Sequence, residues 1–494
     1  MLLREKMFLL YHEIERRKLG LENNSLRANQ FIKILIMKNF KKVSVCMRVY
    51  HYRSIESALL EIECGTFRFA NQKELNDPME GYVQLYWEGD KAAWEGLFKN
   101  YICSLYKCLD DGVKGVREEY LLEDVVINDL HHVANDAMYP LFQELSDAFI
   151  QDDSVQKCIE ILMTVLKNRT GLNILTLWLT LVSLTAYNIC VEKINERFQK
   201  EVLEIIKDWD YKYFQDLADV FLEDPSLMDL MNEIRDSWEL DRIKSYFQKK
   251  KTQFELLDYI RENFSHLYVN QLKDIIYPEG FVVCFSVEND NSVMWGNYAD
   301  KHRGVCLVYE LEINSETGKV ELEAAASGRK INAEAGSMSY VNRPVQRNFF
   351  ETLGKDGSGQ VNSWLENSKF LKTSQLKKMQ EQYQEDFKKK YFTKMEEWEY
   401  EEEFRLLVDG LAINFEEERF FKYKDNALKG VCFGLATSSK DKARILEVLR
   451  KTSKDLNDFR FFQAEYNETK RCIKIRENTN MEVLFRNKAN FNRS

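Results

Sequence analysis

The sequence predicts an α+β fold in which a mixed or antiparallel sheet core is interrupted by a large all-helical insertion. Three observations predict it. Strand-like alternation occupies Arg48–Arg53 and resumes after Gly280. Between these, residues 81 to about 277 repeat apolar side chains at i, i+3 and i+4. The chain holds five prolines in 494 residues, few enough for long helices.

Element by element, residues 1–46 read as an amphipathic helical extension with a polar break at Gly20–Asn24. Residues 47–90 open the α+β core. A strand over Arg48–Arg53 is followed by a short helix that Ser54 opens, with Ile55, Ala58, Leu59 and Ile62 on its apolar face. Gly65 ends that helix and Thr66–Ala70 resumes strand. Residues 91–277 form the insertion. No repeat of fixed period runs through it, which argues against a solenoid. The remainder of the core, 278–494, begins with strands at Phe281–Phe285 and Gly304–Glu310. Glycine- and serine-rich loops are expected at 326–340 and 353–363, a charged helix at 365–392, and a strand at Tyr400–Val408. An apolar run at 428–434, a helix at about 439–451 and strands near 459–485 close the chain.

Composition narrows the function. Seventy Lys and Arg against eighty Asp and Glu give a net charge of −10, which disfavours a surface devoted to binding polyanions. The ten cysteines include no Cys-x-x-Cys pair, and the six histidines show no zinc-ligand spacing. Scattered thiols of this kind suit a reducing cytosol, so a cytoplasmic location is expected. The uncharged stretch Thr170–Val191 is long enough to span a bilayer. Its Asn, Ser and Thr residues favour a buried core helix instead, and no membrane partner is expected.

Three constellations carry polar residues in suggestive order. In Leu75–Glu80, Asp77 as a cap, Pro78 at the first helical position and Glu80 reaching back would start a helix. The sharper alternative makes Asn76, Asp77 or Glu80 ligands at a pocket rim. The second runs from Ser286 at a strand end through Trp295, Tyr298, Ala299 and His302, which share one helical face, to Gly304 as a left-handed stop. Such a stripe usually marks core packing, and the sharper alternative makes it a platform for a planar ring. In the third, a period of two puts Trp398, Tyr400, Phe404, Leu406 and Val408 on one face and Glu401, Glu403 and Arg405 on the other. That second face is either a solvated, salt-bridged surface or a site that stabilises positive charge. Dinucleotide and nucleotide-phosphate glycine loops, the His-Glu-x-x-His pair and the Gly-x-Ser-x-Gly elbow are all absent.

In their order these motifs resemble a bacterial family, domain of unknown function 2971. The residues that carry the resemblance are Val49–Arg53, Phe69 to Glu80, Cys284–Ser286, and Met294, Trp295, Tyr298, His302 and Gly304–Cys306. Ser339, Tyr340 and Pro344 follow, then Lys394 with Trp398, Glu401, Glu403 and Arg405, and last Gly430–Gly434. The resemblance covers 47–90 and about 278–485 and leaves the helical insertion aside. Members of this family are often seen near bacterial defence and mobile-element genes.

The same order is similar to that of ADP-ribosyltransferases. The likeness implies a sheet core of that kind, with His51 or Arg53 on the first strand, Ser286 on the second, Tyr298 on the helix and Glu401 or Glu403 as catalytic carboxylate. It implies an NAD-consuming transferase or NAD glycohydrolase, plausible as an anti-phage effector, with NAD as substrate and no metal. Glu401, Glu403 and Arg405 would be catalytic. His51, Tyr52, Arg53, Asn76, Asp77, Ser286, Trp295, Tyr298 and His302 would bind the dinucleotide. The acceptor would be protein or nucleic acid, and the insertion a lid, sensor or platform for a partner protein. Two alternatives stand beside this reading: a divalent-metal phosphodiesterase built on Asp77, Glu80, Glu401 and Glu403, and a non-enzymatic binding or scaffold module.

Overall fold

A computed structural model describes residues 44–116, 125–126, 138–164, 170–206, 253–273, 275–277, 279–353, 364–410, 413, 415–452 and 458–486. The predicted extension 1–46 lies outside these apart from Ser44–Cys46, which begin the first strand, and 354–363 of the predicted loop lie outside them as well.

The first part of the chain gives β1 (Ser44–Arg53), α1 (Ile55–Cys64), β2 (Thr66–Arg68), β3 (Ala70–Asn71) and β4 (Val83–Trp87). Helix α1 forms as its sequence dictates. Ser54 accepts from the Ser57 amide at the N-terminus, and Gly65, at φ 63°, closes the last turn onto the Glu61 carbonyl. The helical body follows with α2 (Lys91–Val113), α3 (Tyr139–Gln151), α4 (Asp153–Thr164), the short β5 (Thr170–Gly171), α5 (Leu172–Leu181), α6 (Ser183–Phe198) and α7 (Gln253–Gln271). The remaining strands are β6 (Gly280–Ser286), β7 (Val305–Asn314), β8 (Lys319–Ala324), β9 (Lys330–Ser337), β10 (Ser339–Val341), β11 (Val345–Asn348), β12 (Thr393–Met395), β13 (Glu403–Asp409), β14 (Phe420–Lys422), β15 (Leu428–Phe433), β16 (Arg460–Asn467) and β17 (Cys472–Glu477). Among them lie α8 (Ser292–Tyr298), α9 (Phe349–Thr352), α10 (Thr373–Tyr391) and α11 (Ser439–Thr452), and α12 (Thr479–Arg486) closes the described chain.

The architecture is the expected mixed α+β. Among the described residues the main sheet has 12 strands in the order β17-β16-β15-β7-β1-β6-β13-β9-β8-β14-β2, with β3 also paired to β6. All its pairs are antiparallel except β15 with β16. Strand β7 also meets β8 at Ile313 and Val320, so the sheet curls back on itself. One face packs under α1 and α11 around Phe67, Phe285, Leu307 and Tyr309. The helical body has a separate core around Trp94, Tyr101, Trp178 and Tyr268. Phe349, Phe350 and Trp364 join that core, so residues on the C-terminal side of the insertion pack onto it too.

Several elements differ from the sequence expectation. The insertion is not all-helical, because β5 pairs with β4 at Gly171 and Thr170. Residues 326–340 are largely strand, in β9 and β10, because Ala333 and its neighbours find partners on β8 and β13. The chain ends its described part in a helix, α12, whose Phe485 packs on Phe459 and Phe461. The apolar stretch after Thr170 breaks into α5 and α6, which meet at 52°; among the described residues no single helix is long and apolar enough to cross a membrane.

A candidate active site in a seam of the sheet

Strand β1 pairs with β7 along its whole length, from Ser44 opposite Asn314 to Arg53 opposite Val305. To β6 it is joined at one position, Tyr50 opposite Ser286. Strand β3 takes over the same edge of β6 at Ala70–Val282 and Asn71–Phe281. Among the described residues, Val283, Cys284 and Phe285 therefore have no strand partner on that side. A cavity of about 430 Å³ occupies this seam, within the range of about 300–1,000 Å³ usual for small-molecule sites.

Because the seam passes through the sheet, both faces reach the cavity. Tyr50, Ser286 and Glu403 stand in one row across β1, β6 and β13, and so share a face. His51 and Arg53 project from the other face of β1, towards α1. All five line the cavity.

On the first face, two cations hold three carboxylates. The guanidinium of Arg405 is fully buried and uses all five N–H groups. Nε and Nη2 donate to Glu403 at 2.5 and 3.0 Å, Nη1 and Nη2 to Glu80 at 2.6 and 3.0 Å, and Nη1 to the Tyr391 carbonyl at 2.9 Å. The Lys394 ammonium donates to Glu401 at 2.5 Å and Glu403 at 3.2 Å, and lies 3.8 Å from Glu80. The Tyr298 hydroxyl donates to the second oxygen of Glu401 at 2.5 Å. Burial pushes the Glu403 carboxyl up, but Arg405 and Lys394 outweigh it and hold the group at about 2. Glu401 goes the other way: burial raises it, and Lys394 only partly offsets that. One formal negative charge exceeds the two cations, and of Glu401 and Glu403 it is Glu401 that is moved towards holding a proton.

On the second face, Glu61 of α1 is 6% exposed. It accepts from His51 Nδ1 at 2.9 Å, Tyr309 Oη at 2.7 Å and Arg53 Nε at 2.9 Å. Burial opposes its charge, yet His51 and Arg53 outweigh burial and keep it at about 2. His51 is moved below its ordinary value by burial and by Arg53, with Glu61 pulling the other way.

The predicted residues divide. His51, Tyr52, Arg53, Asn76, Ser286, Tyr298, Glu401, Glu403 and Arg405 all line the cavity. Trp295, Asp77 and His302 are not among its lining residues. Trp295 is fully buried, its indole edge-on to Tyr52 and its N–H donated to the Asn289 carbonyl. It is a wall behind the site rather than a stacking platform. Asp77 accepts from the Met79 amide in a turn, and no helix starts there. Glu80, expected to reach back to a cap, binds Arg405 instead. The helix stripe breaks before His302, because α8 ends at Tyr298 and Asp300, Lys301 and His302 all adopt positive φ (45, 53 and 67°). Gly304 is not the left-handed stop. It is required because a Cβ there would lie 2.1 Å from the Arg53 carbonyl oxygen. The predicted strand from Tyr400 also starts late: Glu396–Glu401 form a 3-10 turn, and Glu402, at φ 43°, turns the chain into β13. Trp398 and Tyr400 are thus off the strand, and Glu401 and Glu403 meet through Lys394 rather than as strand neighbours.

Two groups of the site carried no assigned role in the sequence. Glu61 was legible as a carboxylate on an otherwise apolar face with Ile55, Ala58 and Ile62. Lys394 stands in the sequence as part of the motif that carries the family resemblance, with no role attached, because a lysine near acidic residues is a common surface arrangement.

Compared with family models, residues 294–406 match the family described as Protein of unknown function (DUF2971). That span contains Tyr298, Lys394, Glu401, Glu403 and Arg405, whereas β1, α1 and Glu80 precede it. No curated protein and no solved structure matches the chain.

Proposed function

We propose that the seam cavity binds NAD and breaks the bond between nicotinamide and ribose, transferring ADP-ribose to an acceptor or to water. One observation carries the reading: the buried carboxylate of Glu401, held by Tyr298 and Lys394, faces the same cavity as the Arg53 cation from the opposite side of the sheet. Departure of nicotinamide leaves an oxocarbenium-like ribose, and a fixed carboxylate in a poorly hydrated site lowers the energy of that cation. Tyr298 and Lys394 orient Glu401 for this role. Arg53, 29% exposed, suits the pyrophosphate. The unpartnered edge of β6 offers backbone N–H and C=O groups to a carboxamide. Glu403, saturated by Arg405 and Lys394, holds the frame rather than the sugar. Such an enzyme drains NAD, which fits the defence setting that the family resemblance implies.

The metal-dependent alternative has less support. Lys394 Nζ stands among Glu401, Glu403 and Glu80, where a divalent ion bound by these carboxylates would sit. Asp77 is turned away to cap Met79.

The test is to incubate the full chain with NAD and measure free nicotinamide. Release is expected, with a loss of about 100-fold or more in E401Q. If the wild-type chain neither releases nicotinamide nor labels an acceptor in lysate, the reading is wrong.

A further inference from the structure

The carboxylate of Glu61 is buried, and two of its partners, His51 and Tyr309, each pack their rings on Phe67 and Phe285. An ionised carboxylate there costs several kcal/mol unless its lone pairs are filled. They are filled, by three donors, of which His51 is one. An ionised Glu61 only accepts, so His51 Nδ1 must carry a proton. In the neutral ring, Nε2 is then a lone pair. Among the described residues Nε2 has no hydrogen-bond partner, it is not among the enclosed unsatisfied atoms, and His51 lines the cavity. The ring is therefore fixed in one tautomer with its basic nitrogen open to the site.

We propose that His51 is the general base of this site, that Glu61 is its positioning residue, and that the ADP-ribose acceptor is an oxygen nucleophile, either water or a hydroxyl group. The proposal rests on the glycosidic reading above. In the step, the bond from C1′ to the nicotinamide nitrogen breaks and its electron pair leaves with neutral nicotinamide. A lone pair of the acceptor oxygen forms the new bond to C1′, and the O–H proton passes to His51 Nε2. The imidazolium is held by Glu61 until it loses that proton to water. Arg53, beside His51 on the same face, works against a cationic amine or guanidine acceptor. Glu401 enters from the opposite face of the sheet, so the base and the stabilising carboxylate do not compete for one position.

The charged and titratable groups bearing on His51 are Arg53 from its own strand, Glu61 from α1 and, through Glu61, Tyr309 from β7. From β2 and β6 it meets the rings of Phe67 and Phe285. Glu401, Glu403, Lys394 and Arg405 line the same cavity. Burial and Arg53 lower the His51 pKa and Glu61 raises it, so activity should fall on the acid side, below the ordinary value of 6.5.

Nicotinamide release by wild type, H51Q and E61Q as a function of pH provides the test. H51Q should lose about 100-fold in kcat. E61Q should lose at least about tenfold in kcat, keep KM for NAD within about threefold, and shift its acid limb to lower pH. A purely structural role for Glu61 would leave that limb in place. Histidine-labelled nitrogen NMR of the unliganded wild type, with the His51 signals identified by their loss in H51Q, should show a neutral ring protonated on Nδ1 at pH 7, and this holds even if E61Q fails to fold. Release that survives H51Q at more than about a third of the wild-type rate, or a ring protonated on Nε2, overturns the base assignment alone. No release by the wild type overturns the glycosidic reading and this one with it.

Discussion

His51 and Glu403 project from opposite faces of one sheet and line the same cavity. In a continuous sheet this is impossible, because a paired strand separates its two faces. It happens here because β1 leaves β6 after the single bridge between Tyr50 and Ser286. The site is thus a property of strand divergence, and whatever fixes the end of β1 fixes the site.

Gly304 does that. A Cβ at 304 would lie 2.1 Å from the Arg53 carbonyl oxygen, and backbone cannot yield as a flexible side chain can. Gly304→Ala should cost about 1–3 kcal/mol in urea unfolding, and under the proposed function it should weaken NAD binding by displacing His51 and Arg53. Gly296→Ala is the control, since its Cβ would meet nothing closer than 4.0 Å. Equal losses in the two variants would show that the approach at Gly304 does not set the seam.

Arg405 gives a second prediction. Its guanidinium binds both Glu80 and Glu403 bidentately, with its side chain 1% exposed. Arg405→Met leaves two buried carboxylates short of a cation, a loss of about 3–5 kcal/mol. Arg405→Lys restores the charge but not the fork, so it should recover only part of the loss. Full stability in Arg405→Lys, measured by denaturant midpoint, would mean that charge alone matters.

How far the sequence reached this site depends on the residue. His51, Arg53, Ser286 and Tyr298 are legible because each sits near a strand end or on a short helix, with Ser54 and Gly65 punctuating the first helix. Period-two reasoning then failed at Glu402, whose φ of 43° breaks the alternation at the centre of the motif. It also assigned Trp398 and Tyr400 to a strand that had not yet begun. His302 was lost to three successive left-handed residues that no glycine signalled. The seam was invisible: it depends on where β1 and β3 exchange places along β6, a long-range register that local patterning does not encode.

Acid should unfold the protein through Glu61. Its folded pKa of about 2 lies below the ordinary 4.5, so its contribution is present above pH 4.5 and is lost as pH falls towards 2. That shift corresponds to about 3 kcal/mol. His51, also lowered, acts in the same direction below 6.5. Urea midpoints at pH 7, 5, 4 and 3 should fall steeply below pH 4.5 in wild type and less steeply in Glu61→Gln. Parallel curves would show that Glu61 is not held low by its partners.

Lys394 supplies the last prediction, and it separates the two enzymatic readings. Its ammonium lies within 4 Å of Glu80, Glu401 and Glu403 and 4.7 Å from the Trp398 ring centre, so it acts as the resident cation of a three-carboxylate cage. A divalent ion would have to displace this ammonium, so Mn²⁺ or Ca²⁺ should leave the wild-type melting temperature unchanged. Lys394→Met removes the charge while keeping most of the side-chain volume. The three carboxylates then repel one another, the variant should melt lower, and millimolar Mn²⁺ should restore part of the loss by binding oxygen ligands in the vacated position. Adding Glu401→Gln to that variant should abolish the rescue. A Mn²⁺ shift in wild type that disappears in Glu401→Gln would instead mean that the cage opens to metal with Lys394 present, and the phosphodiesterase reading would become the better one.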